Sequence, residues 1–147
     1  MEELYAALQQ AYTDYRQELA EAERKQKPTD GLLGFGRSLK DDACHDRFDE
    51  RLAQAVERLC AGAPGPEEAE RAVRLLLLRE GDGAWPLSAQ WMLRAAERHS
   101  LPLIPFLSRE AASALAKAYA RHYRPWDRLP VQKQVLKALT TQGKQQP

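Results

Sequence analysis

Residues 66–80 read PEEAERAVRLLLLRE, and the class of the fold turns on how this stretch is read. Pro66 suits the first position of a helix, where its missing N–H has no partner to lose. The run Leu75–Leu78 is apolar around much of a helical circumference, which predicts a central, buried helix. GAPGP at 62–66 is the turn leading in, and Gly81 and Gly83 break the helix at its far end.

Working outward, other segments show helical periodicity. Leu4, Leu8, Ala11, Tyr15, Leu19 and Ala22 recur at spacings of three and four, predicting a helix over 3–27 that Pro28 and Gly31 end. Residues 28–40 (PTDGLLGFGRSLK) read as an apolar loop. The next helix is expected over 42–61, with Asp41 or Asp42 as N-cap and Phe48, Leu52, Ala55, Val56 and Leu59 as its apolar stripe. Beyond the leucine run, helices are expected over 86–99, 107–123 (capped by Ser108) and 130–142 (stopped by Gly143). SLPLIPF at 100–106 is an apolar connector whose prolines exclude a helix interior. No strand of any length is visible. The expected fold is all-α: a single-domain bundle of five to six mostly antiparallel helices over 1–143, with a frayed tail at 144–147.

Composition agrees. The chain of 147 residues is 44% hydrophobic and 29% charged, a helical balance long enough for a core without metal or disulfide staples. No window approaches the roughly 18 apolar residues that span a bilayer. The acidic, amphipathic start differs from a signal peptide, so a cytoplasmic location is expected. Cys44 and Cys60, on one helix, would stand about 24 Å apart, too far for a disulfide. The net charge of +1 is unevenly spread: residues 1–61 carry 9 basic against 13 acidic residues, 62–93 carry 3 against 5, and 94–147 carry 10 against 3. A basic last third suits an acidic partner or nucleic acid, or the acidic first third of its own chain.

Three groups of residues are candidates for function. Asp42, His45 and Asp49 stand at i, i+3 and i+7, a fan of about 60° on one helical face. That spacing lets carboxylate and imidazole share a divalent ion, or lets an acid orient the imidazole for general-base work. The wheel turns Cys44 about 100° away from His45, and alternating helices put His122 at the same end of the bundle. Asp42, His45, Asp49 and His122 are therefore the metal alternative, with His45 and Asp49 as the acid–base alternative. The complete HExxH pattern is absent. GLLGFGR at 31–37 has neither the strand nor the spacing of a phosphate loop.

The third group is ARHYRPWDR at 120–128, where arginines alternate with aromatics. Arginine grips carboxylates or phosphates, and Tyr and Trp anchor interfaces. The first expectation is thus a non-enzymatic interaction module. It would bind a protein partner through the bundle end formed by loops 28–41, 81–86 and 124–129. Its binding residues would be Phe35, Arg121, Tyr123, Arg124, Trp126 and Arg128. Nucleic-acid binding by 117–137 is the further alternative, without a recognition motif to support it. No cofactor and no membrane contact are expected, and the surface is compatible with a homo-oligomer.

Overall fold

The computed structural model describes residues 2–25, 35–80 and 89–144, and side chains throughout these except at 2, 3, 23, 25 and 35–42. The chain is all-α, with six α-helices and no strand among the described residues. They are α1 (Glu2–Lys25), α2 (Phe35–Ala61), α3 (Pro66–Leu78), α4 (Gln90–Ser100), α5 (Arg109–Ala120) and α6 (Pro130–Lys144). Two 3-10 stretches, Leu101–Phe106 and Pro125–Asp127, join α4 to α5 and α5 to α6. The leucine-rich segment is a helix as expected, with Leu75 and Leu76 fully buried.

Several boundaries depart from the sequence expectation. α2 begins at Phe35, so residues 35–41 are helical and Asp41 and Asp42 lie inside the helix, where neither can cap it. No proline intervenes between Pro28 and Pro64, and Gly36 alone costs a helix interior only about 1 kcal/mol. The remainder of the expected 28–41 loop, and the expected 81–86 loop, fall outside the described residues. LPLIPF at 101–106 is a 3-10 stretch and not an irregular connector, with Pro102 in its first turn and Pro105 inside it; Ser100 is the last residue of α4. α5 stops at Ala120, three residues early. α6 continues through Gly143 to Lys144, which places the first residue of the expected tail in the helix.

Tertiary contacts divide the chain into two compact units, residues 2–55 and residues 56–147. The first is a helical hairpin of α1 and most of α2. Its polar side is fixed by Glu18, whose two oxygens each meet a guanidinium at 2.6 Å, Arg47 Nε on one and Arg51 Nη2 on the other. Arg51 also approaches Asp14 at 3.9 Å. Advancing along α1 from Asp14 to Glu18 retreats along α2 from Arg51 to Arg47, so the two helices are antiparallel. Tyr15 packs edge-on against Phe48 at 6.1 Å between ring centroids. Leu4, Leu8, Ala11, Cys44, Phe48, Leu52 and Ala55 complete its buried stripe.

In the second unit, α3 packs on α4 and on the 3-10 turn that follows, and α5 pairs with α6. Ser108 caps α5, its hydroxyl accepting from the Ala111 N–H at 3.1 Å. Near the far end of α6, Gln142 donates to the Leu107 and Pro105 carbonyls at 2.8 and 3.2 Å. Gly143 lies so close to α5 that a Cβ there would be 2.5 Å from Ser113 Oγ. The end of α6 therefore meets the start of α5, and the pair is antiparallel. Its connecting segment, 121–129, carries the candidate recognition residues.

Candidate functional site

The segment begins where α5 unwinds. The His122 and Tyr123 N–H groups bond three residues back, to the Tyr119 and Ala120 carbonyls at 3.1 and 3.4 Å. Pro125 then opens a single 3-10 turn closed by Asp127 N–H to Arg124 C=O at 2.9 Å. Gln132, buried in α6, accepts from the Leu129 N–H at 2.9 Å and so anchors the exit.

On this frame Trp126 is 76% exposed and Leu129 43%, the two large apolar side chains that stand out among the described residues. A tryptophan is highly buried on average, so this degree of exposure is unusual. The Arg124 guanidinium lies 5.8 Å from the Trp126 ring centroid, a cation–π contact. Arg121 and Arg124 are exposed, whereas Arg128 is half-buried and donates from Nε to the Tyr123 carbonyl at 3.3 Å. Among the expected binding residues, Arg121, Arg124 and Trp126 thus present themselves to solvent. The Phe35 side chain lies outside the described residues.

Tyr123 faces the other way, into a buried polar cluster built from α4, α5 and α6. Its ring packs edge-on against Tyr119 at 5.4 Å and lies beneath the Arg94 guanidinium at 5.8 Å. Arg94 reaches the Tyr123 hydroxyl at 3.4 Å and pairs with Glu97 at 2.5 Å. That pairing is ionic and not a directed hydrogen bond, since Arg94 Nε and Glu97 Oε1 are not aligned as donor and acceptor. Glu97, only 2% exposed, accepts a hydrogen bond from the Tyr119 hydroxyl through its other oxygen. Burial, reinforced by the Glu97 carboxylate, pushes the Tyr119 phenol far above its ordinary range. Burial and Glu97 also raise Tyr123, against the opposing pull of Arg94. A carboxylate this deep requires both a cation and a donor, and it has both.

The histidine candidates belong to different units. His45, half-buried in the 2–55 unit, has its ring 5.9 Å from that of Tyr15, and Asp49 is half-buried beside it on the same helix. His122 belongs to the 56–147 unit and is exposed, although a helix running to 123 is expected to put it on the Leu115–Ala118–Tyr119 face, towards the core. The reason is the early end of α5: beyond Ala120 the chain no longer follows a helical wheel. Cys44, turned away from His45 on the wheel, is nonetheless 1% exposed and faces the core. It sits one turn before Phe48 and shares its face, while His45 lies on the shoulder of that stripe. Asp42's side chain is outside the described residues, and among those described no group of three or more His, Cys, Asp or Glu residues is placed to hold a metal ion.

Neither cysteine is in a disulfide, and burial raises the Cys60 thiol, which favours its inert protonated form. Among the described residues no helix is long and apolar enough to cross a membrane. Arg94, Glu97, Gln132 and Leu129 were not expected from the sequence. The only hint was an acid three residues after an arginine on a short helix. No family model matches the chain, and no curated protein or solved structure is significantly similar to it.

Proposed function

We propose that the chain is a non-enzymatic interaction module that binds a protein partner through residues 121–129. The observation that carries this reading is Trp126, 76% exposed on a proline-initiated turn. Interface hot spots are enriched in tryptophan and arginine, and here both are side by side, with Leu129 adding an exposed aliphatic surface. The buried cluster behind the turn supports the same reading. Tyr123 is fastened to Arg94, and Arg128 and Gln132 bond the backbone at 123 and 129, so the turn is pre-shaped and costs little to order on binding.

The test is affinity capture with the purified, tagged chain, comparing wild type with Trp126→Ala and Arg124→Glu. Both variants alter exposed side chains and are expected to keep the wild-type circular dichroism spectrum and melting temperature. Each is expected to lose a partner that wild type retains. If every captured protein is retained equally by folded Trp126→Ala and Arg124→Glu, the reading is wrong.

A further inference from the structure

The turn carries a chemical description of what would fit it. Residues 117–137 hold six basic side chains (Lys117, Arg121, Arg124, Arg128, Lys133, Lys137) and a single acid, Asp127. All but Arg128 among the six are exposed. The exposed large apolar side chains are Trp126 and Leu129, three residues apart, and the Arg124 guanidinium leans over the indole. A ligand that uses the whole feature needs an apolar side chain for the indole and leucine, and carboxylates within a few ångströms of it for the arginine forks.

We infer that the 121–129 segment takes an acidic protein segment, one apolar side chain lying on Trp126 and Leu129 and flanking carboxylates pairing with Arg121 and Arg124. This rests on the interaction reading above and narrows it to a class of partner. The same charge could attract nucleic acid, but the aromatic surface is wrong for it. Successive bases need successive stacking faces. Here Trp126 offers one face beside Arg124, and the Tyr123 ring is engaged by Tyr119 and Arg94. Leu129 offers no stacking face, yet it suits an aliphatic or aromatic side chain.

The test is fluorescence anisotropy with the full chain and four labelled probes. One is a short peptide of Glu and Ser with a central Leu and Phe. The second replaces Leu and Phe by Ser, the third replaces Glu by Lys, and the fourth is an oligothymidylate of the same length. The expected result is tightest binding to the first probe, by about tenfold or more over each other probe. Trp126→Ala and Arg124→Glu should each cost about tenfold, with Trp126→Phe close to wild type, in the range found for interface anchors. Equal binding of the Ser control, tighter binding of the oligonucleotide, or no binding of the first probe overturns the inference. So does a dimer in sedimentation that Trp126→Ala dissolves, because the occupant is then a second copy. Trp126-dependent binding of the Lys peptide sinks the acidic partner but keeps the surface. Peptide binding that ignores both variants sinks the surface as well.

Discussion

Tyr119 and Glu97 form a buried pair in which each partner answers a need of the other. Removing the hydroxyl with Tyr119→Phe leaves a buried carboxylate one donor short, at an expected cost of about 1–3 kcal/mol in urea unfolding. In a Glu97→Gln background the same substitution should cost clearly less, since the charge that made the donor necessary is gone. The sign of the pH dependence follows from the raised phenol. In the unfolded chain tyrosine ionises near pH 10, while in the folded chain Tyr119 stays protonated well above that. Its contribution is therefore complete below about pH 10 and is lost as pH rises further, because only the unfolded state gives up the proton. Stability of Tyr119→Phe should fall less steeply on the alkaline side than that of wild type. The helical spacing of Leu115 and Tyr119 turns Tyr119 inward, but its pairing with Glu97 was not legible in the sequence. Glu97 falls among Arg94, Arg98 and His99 in a string that looks solvated, and its burial depends on where α5 places Tyr119. Cys44 and Phe48, by contrast, sit one turn apart, and attention to that spacing recovers the buried stripe of α2.

At the scale of the helix, most elements were legible because Leu and Ala periodicity acts locally, whereas their ends depend on backbone geometry that a wheel does not contain. α2 ends at Ala61, and the left-handed residue after it is Ala63 (φ 49°), not either neighbouring glycine. Ala63 is exposed, so Ala63→Gly should raise stability by about 0.5–1 kcal/mol through relief of that conformation, read as a higher melting temperature. Gly143 shows the opposite case. The sequence marks it as a stop signal, yet it lies inside α6 and serves close approach to α5. A Cβ would meet Ser113 Oγ at 2.5 Å and the Ser113 backbone nitrogen at 3.3 Å. The improved helix propensity of alanine is worth about 1 kcal/mol, and forced overpacking costs about 1–3. Gly143→Ala should thus be destabilising by about 1 kcal/mol. Adding Ser113→Ala removes the nearer of the two contacts and should restore much of the loss, as a double-mutant cycle would report.

For the molecule as a whole, charge is the property that the sequence conveyed most completely and contacts the least. The ten basic residues of 94–147 are plain in the sequence, and so is the clustering of Arg121, Arg124 and Trp126. That Tyr123 turns inward while Trp126 turns outward was not, because it depends on a cluster contributed by three helices. The outward turn also supplies a built-in optical reporter. An indole this exposed is open to collisional quenchers, and the neighbouring arginines concentrate anions around it. Iodide should quench the part of the emission lost in Trp126→Phe more efficiently than caesium does. Added sodium chloride should narrow the gap as it screens the guanidinium charges.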